Sequence, residues 1–218
     1  GQSIDLFLQK NSLNFQDFFI VCVDTALQPL LARKIIPDAV FIEEAQSVIL
    51  KAFIGFTDNL KTQIFAGLSS NPYLKNFVSP SKISFFTTEF TKANFLSRFS
   101  QFSFLPPLNN PFGSVGLTAV YYALKFRADE SVPIFICGLD FSYSKGFTHA
   151  KNTLAYTTRI LNHNRLCCIE NFNACFGQNI IEITDKKGET FYTSIVLKSY
   201  AELFITLFSG IKNIFDIG

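Results

Sequence analysis

The hydrophobic positions of this chain fall into short blocks of two alternating kinds. The first is a continuous apolar run that ends in an acid. Phe18 to Asp24 (Phe-Phe-Ile-Val-Cys-Val-Asp) is of this kind, and such a run reads as a strand buried on both faces. The second spaces its apolar residues along one helical face, as Ala26, Leu27, Leu30 and Leu31 do within Thr25 to Lys34. After Pro37-Asp38, Ala39 to Ile42 predicts a second strand and Glu43 to Leu60 a helix. Gln63 to Leu68 and Ile83 to Thr87 predict further strands. Leu105 to Gly113, with three prolines and two asparagines, predicts a loop. Ser114 to Arg127 predicts a helix, and Pro133 to Asp140 a strand that again ends in an acid. Ile180 to Thr193 predicts a hairpin turning at Asp185-Lys186-Lys187-Gly188, and Ser194 to Phe208 a closing helix.

Strands alternating with helices predict an α/β domain, a mostly parallel sheet with helices on both faces, followed by a small C-terminal hairpin and helix. No internal repeat or low-complexity linker interrupts it, so residues 1–218 are expected to form a single domain. In such sheets ligands bind beyond the carboxyl ends of the strands, at a switch point in strand order. Asp24 and Asp140 both stand at a predicted strand's carboxyl end.

Composition narrows the picture. Hydrophobic residues make up 48% of the chain and phenylalanine alone contributes 27. The longest apolar stretch, Ser194 to Ile211, carries Lys198 and Glu202 and reads as an amphipathic helix, not a membrane span. The start, Gly1-Gln2-Ser3-Ile4-Asp5, has no basic region followed by an apolar one, so no secretion signal is expected. Nineteen basic residues nearly balance 17 acidic ones, which gives no case for nucleic-acid binding. Of the five cysteines, Cys22 and Cys137 sit in strand-like runs, and Cys167 and Cys168 are adjacent, unlike the spacing of a zinc knuckle. Cys175 completes the set. Buried, reduced thiols in a cytoplasmic protein are the expectation.

Three segments carry candidate chemistry. In Asn110-Pro111-Phe112-Gly113-Ser114, Gly113 lets a ligand approach the backbone, Ser114 offers a hydroxyl at a helix start, and the amides that follow lack helical partners. That combination suits an anionic phosphate; it equally suits an ordinary Ser-capped helix. In Gly138-Leu139-Asp140-Phe141-Ser142-Tyr143, followed by Thr148-His149-Ala150, Asp140 can orient a ribose hydroxyl or hold a metal. Tyr143 can donate to a phosphate oxygen, and His149 can act as acid or base near neutral pH or stand as a solvated loop residue. His163 reads as a polar helix-end residue. Asp24 and Thr25 mark a third strand-to-helix handover, as ligand contacts or as a plain helix cap. Glu43-Glu44 is a weaker version of the same arrangement. Gly-x-x-x-x-Gly-Lys-Ser/Thr, Gly-x-Gly-x-x-Gly and Gly-x-Ser-x-Gly are absent from the sequence, which removes most of the weight from P-loop, dinucleotide and hydrolase readings.

Together the segments resemble a known family. Asp24-Thr25-Ala26-Leu27 with Ile36-Pro37-Asp38, then Phe112-Gly113-Ser114-Val115-Gly116, then Gly138-Leu139-Asp140-Phe141-Ser142-Tyr143 with Thr148-His149-Ala150 are similar to the MptE-like family. That family includes motility-associated factor (Maf) flagellin glycosyltransferases and archaeal 6-hydroxymethylpterin diphosphokinases. The Gly-Ser helix start and the Gly-x-Asp strand end are also similar to bacterial sialyltransferases that use CMP-sialic acid. The resemblance implies a Rossmann-like fold. It also implies transfer of a nonulosonic, sialic-acid-like sugar from a CMP donor to a protein hydroxyl, such as one on flagellin. Gly113 and Ser114 would then hold the CMP phosphate, with Asp24, Thr25 and Asn110 bordering the nucleotide. Tyr143 would steady the departing phosphate, His149 would serve as base on the acceptor, and Asp140 would complete the catalytic set. No cofactor or metal is required on that reading. The alternative is an ATP-dependent diphosphokinase with Mg²⁺ held by acids such as Asp24 and Asp140; a third reading is a catalytically inactive nucleotide-binding module. Of the family's opening strand and Gly-x-Gly-Pro-Ser loop, only Gly1-Gln2-Ser3 has a counterpart, so a domain without that first strand is expected.

Overall fold

In the computed structural model all residues are described except 11–13, 58–60, 90–94, 101, 104, 107, 169–178 and 186. The chain begins with α1 (Ser3–Lys10), β1 (Val21–Val23), α2 (Asp24–Leu31), β2 (Ala39–Ile42), β3 (Gln63–Gly67) and β4 (Ile83–Thr88). It continues with α3 (Phe95–Ser100), β5 (Leu108–Asn109), α4 (Val115–Phe126), β6 (Ile134–Ile136) and α5 (Leu154–Asn162). The hairpin β7 (Ile180–Thr184) and β8 (Thr190–Ser194), then α6 (Ile195–Phe208) and β9 (Ile214–Asp216), close it. These elements divide into two compact units, one of Phe15–Ala119 and one of Gly1–Asn14 with Val120–Gly218.

The Phe15–Ala119 unit is built on a parallel sheet in which β1 to β5 lie in chain order. The apolar runs explain it. Ala39, Val40, Phe41 and Ile42 of β2 are all fully buried, as a strand covered on both faces requires. Phe41 stacks on Phe65 of β3 with ring centroids 4.9 Å apart and meets Phe86 of β4 at 5.9 Å. Leu27 and Leu30 of α2 and Leu117 of α4 are buried as well. Because the strands follow chain order, this sheet contains no reversal, and the switch point expected from the sequence does not occur within it.

The predicted helix over Glu43 to Leu60 is not formed. Among the described residues of that stretch, only a 3₁₀ helix over Ser47–Phe53 occurs. The carbonyls that would accept helical bonds are taken from outside. Ser69 Oγ donates to the Glu43 carbonyl, the Asn71 amide to that of Glu44, and Asn71 Nδ2 to that of Ala45. Leu50 and Phe53, three apart, are both buried, and side chains three residues apart share a face in a 3₁₀ helix.

In the other unit β6 pairs parallel with β9, and β7 pairs antiparallel with β8. Ser194 caps α6 by accepting from the Leu197 amide, so the C-terminal hairpin and helix are as predicted. The strand expected over Pro133 to Asp140 is ordered only from Ile134 to Ile136. Helix α5, which the periodicity did not announce, is capped by Thr153, whose hydroxyl accepts from the Tyr156 amide. His163 ends that helix, as expected. Cys22, Cys137, Cys167 and Cys168 are free thiols, and Cys175 lies outside the described residues. No helix among the described residues is long and apolar enough to cross a membrane.

Candidate functional site

In the Phe15–Ala119 unit the candidate residues gather where the parallel strands end. Asp24 follows β1 directly and opens α2. It is only 2% exposed, and its Oδ1 accepts from the Thr25 amide at 2.5 Å. Burial pushes its carboxyl up to about 7, opposed by the Thr25 hydrogen bond and reinforced by the charges of Glu44 and Glu43. Thr25 itself is exposed.

The loop before α4 is anchored by buried Phe112 and leaves Asn110 and Gly113 exposed. Gly113 has φ +73°, the left-handed region that penalises a side chain. The first helical bond runs from the Thr118 amide to the Ser114 carbonyl at 3.1 Å. The amides of Val115, Gly116 and Leu117 therefore have no carbonyl partner within the helix. Ser114 Oγ accepts from Gly116 at 3.2 Å, the ordinary Ser cap. Chemically this is a helix start fit for an anion, with its hydroxyl partly committed.

Sequence reasoning underrated Glu43. The residue is half-buried, and each of its carboxylate oxygens accepts one hydroxyl. Thr88 Oγ1, at the end of β4, donates to Oε1 at 2.9 Å, and Thr118 Oγ1, in the first turns of α4, donates to Oε2 at 3.0 Å. The available signal was an acid placed first after a fully buried strand, together with Thr87-Thr88 at another strand's end. The acid that commonly reaches a ribose after the second strand is here bound to threonines. Thr87 Oγ1 is buried with no hydrogen-bond partner.

In the other unit Asp140, Tyr143 and His149 all line a cleft of about 970 Å³, with Ser142, Lys151 and Lys187 also lining it. Asp140 caps α1: its Oδ2 accepts from the Ser3 amide at 2.9 Å and its Oδ1 from Ser3 Oγ at 2.5 Å. The Gly138 amide donates to Ser3 Oγ at 3.0 Å. Tyr143 is largely buried and exchanges both backbone bonds with Tyr192, their rings stacked at 6.3 Å. His149 Nδ1 lies 2.8 Å from Thr148 Oγ1. Burial, then the Arg159 charge, lowers the His149 pKa, which favours the neutral imidazole. Cys137 is pushed up to about 11, chiefly by burial, which leaves it an unreactive thiol. Among the described residues there is no group of three or more His, Cys, Asp or Glu placed to hold a metal ion.

The parallel sheet flanked by helices, with the small C-terminal hairpin and helix, defines a Rossmann-like α/β protein. The family model described as 6-hydroxymethylpterin diphosphokinase MptE-like matches residues 3–146, and the chain belongs to that MptE-like family. It is 34% identical over 201 residues to an uncharacterized protein of Treponema pallidum (strain Nichols), an alignment covering 91% of this chain and 34% of that protein. The fold is similar to that of a MAf glycosyltransferase from Magnetospirillum magneticum AMB-1, with a TM-score of 0.59 and 15% identity over 99% of this chain and 32% of the other. This chain thus spans about a third of the length of each.

Proposed function

We propose that this chain is a nucleotide-sugar-dependent glycosyltransferase of Maf type. It would move a nonulosonic, sialic-acid-like sugar from a CMP donor to a protein hydroxyl, such as one on flagellin. Membership of the MptE-like family and a fold shared with a MAf glycosyltransferase support the class. The observation that carries the reading is the cleft that Asp140, Tyr143 and His149 line together. In the reaction the acceptor oxygen attacks the anomeric carbon. The bond from that carbon to the CMP phosphate oxygen breaks, and CMP leaves with the electron pair. A neutral His149 takes the acceptor's proton, and the Tyr143 hydroxyl donates to the departing phosphate oxygen. Asp140, committed to Ser3, positions α1. Within the Phe15–Ala119 unit, Gly113 and Ser114 would offer a phosphate a helix start, with Asp24, Thr25 and Asn110 as candidate nucleotide contacts. No cofactor is needed, because CMP departs as a single phosphate monoester that hydroxyls and helix-start amides stabilise. The free thiols fit a cytoplasmic setting.

Thermal denaturation tests this. CMP should stabilise the chain by about 2.7 kcal/mol at a hundredfold excess over its dissociation constant. Ser114→Ala should shrink the shift and Gly113→Val abolish it. Tyr143→Phe should slow transfer by about two orders of magnitude while leaving CMP affinity intact. Equal shifts in wild type and both loop variants would remove the α4 start from the site.

The family's description favours one other reading. This is an ATP-dependent 6-hydroxymethylpterin diphosphokinase that uses Mg²⁺. Product from ATP and pterin, with no response to CMP, would establish it. An absence of binding by either nucleotide would leave the inactive module.

A further inference from the structure

We infer that Glu43 is a positioning residue: by holding Thr88 and Thr118 at once, it fixes the first turns of α4 against the ends of the parallel strands and so sets the Gly113-Ser114 helix start for its ligand. The inference rests on the reading of that helix start as the donor-phosphate site. Its basis is geometric. Glu43 follows β2, Thr88 ends β4 and Thr118 lies in the second turn after the Ser114 cap, so one carboxylate joins three elements distant in sequence. Thr118 is 2% and Thr88 8% exposed, so both hydroxyls are shielded from water. Without the carboxylate, Thr118 Oγ1 keeps only its longer bond to the Ser114 carbonyl, at 3.4 Å, and Thr88 Oγ1 loses the acceptor it has now. Under-satisfied buried hydroxyls are costly, and the helix start would shift to recover the lost bonds.

The neighbouring strand accommodates this side chain. Gly67 ends β3, and a Cβ placed there would stand 3.2 Å from Glu43 Cγ and 3.5 Å from the Phe86 ring. Glycine at that position gives the Glu43 stem its path to the two threonines. The backbone around Glu43 is also fixed independently, since Ser70 Oγ donates to the Ile42 carbonyl at 2.8 Å and Asn71 Nδ2 to the Ala45 carbonyl at 2.8 Å. The carboxylate is held from both flanks.

Geometry and charge make opposite demands on this residue, and that separates positioning from electrostatic binding. A carboxylate near a helix start is favourable to the helix but repels an incoming phosphate. Glutamine can accept one threonine hydroxyl through its oxygen and donate to the other through its amide nitrogen, keeping the bridge without the charge. Glu43→Gln should therefore bind CMP at least as tightly as wild type. Glu43→Ala and Thr118→Val should each raise the dissociation constant about tenfold, and the double variant no further. Gly67→Ala, which displaces the side chain without removing it, should change affinity in the same direction.

The experiment pairs calorimetric titration of CMP with hydrogen exchange of the ligand-free chain, on wild type and on the Ala, Gln and Thr118→Val variants. Faster exchange at the first hydrogen-bonded amides of α4, from Thr118 onward, in Glu43→Ala, restored to the wild-type rate in Glu43→Gln and accompanied by the affinity pattern above, is the expected result. Unchanged exchange at those amides would overturn the pin, whatever CMP does. A variant that only melts earlier, with wild-type CMP affinity while folded, would reduce Glu43 to a stability role and also overturn the inference. Should Ser114→Ala weaken CMP in that experiment, the phosphate-site reading survives the loss of the pin. If exchange quickens as expected but wild type does not bind CMP, the phosphate-site reading fails and the assignment to ligand positioning fails with it.

Discussion

Two buried polar side chains in the Phe15–Ala119 unit each weaken the fold at neutral to alkaline pH. Asp24 is 2% exposed, and burial raises its pKa from an ordinary 3.8 to about 7. The folded state thus holds a proton that the unfolded chain releases. The associated stability is present in full below about pH 4 and is lost as pH rises through about 7, at roughly 1.4 kcal/mol per pH unit across that window. Asp24→Asn should accordingly melt above wild type at pH 8, with the advantage shrinking towards pH 5. A constant difference across a pH series of denaturation curves would contradict the raised pKa. Thr87 Oγ1 is buried without a partner, so Thr87→Val, which keeps the shape and removes the hydroxyl, should raise stability by about 1 kcal/mol. A lower urea midpoint in that variant would show that the hydroxyl has work to do. Neither property is legible in the sequence. Asp24 stands out there as an acid after an apolar run, but its charge state depends first on its burial in the folded unit, and then on the Thr25 bond and the charges of Glu44 and Glu43.

Elements whose pattern is set locally were the legible ones. β2 came out at the residues its apolar run marks, Ala39–Ile42, because a strand buried on both faces needs no information from its neighbours. α4 and α6 likewise follow from their apolar faces and their Ser caps. The stretch after β2 was misread because Ser69 and Asn71, from the next connection, take its carbonyls, and hydrogen bonds between separate loops leave no periodicity. α1 was missed for a related reason. Its start is held by Asp140, 137 residues away, and read locally Asp140 suggests a catalytic acid. If capping is its task, Asp140→Asn and Ser3→Ala should each cost about 1 kcal/mol in denaturant unfolding, with the double variant little worse than either. Strictly additive losses would show that the two side chains act separately. The Asp140-Tyr143-His149 grouping was legible as a set of neighbours in sequence, but the cleft that unites them takes its other wall residues, such as Lys187, from the far hairpin.

At the scale of the molecule, the choice between the two enzyme classes turns on how each would neutralise phosphate charge. Pyrophosphoryl transfer from ATP develops charge on oxygens that Mg²⁺ bridges, and the acids offered for that metal must have oxygens to spare. Here Asp140 uses both of its oxygens on Ser3, and Glu43 uses both on Thr88 and Thr118. Asp24 bonds the Thr25 amide, and at about 7 its pKa leaves it partly protonated at neutral pH. Release of CMP asks less. The helix start at Ser114, preceded by Gly113 with φ +73°, supplies donors without a metal. CMP binding should therefore persist in excess EDTA, as should any slow hydrolysis of a CMP-sugar, and ATP with a pterin should give no product. Titration of CMP with and without chelator, repeated with Asp24→Asn and Asp140→Asn, decides the matter. A requirement for Mg²⁺ that either substitution abolishes would transfer the chain to the diphosphokinase class. An unchanged dissociation constant in EDTA would leave the phosphate to backbone amides and hydroxyls.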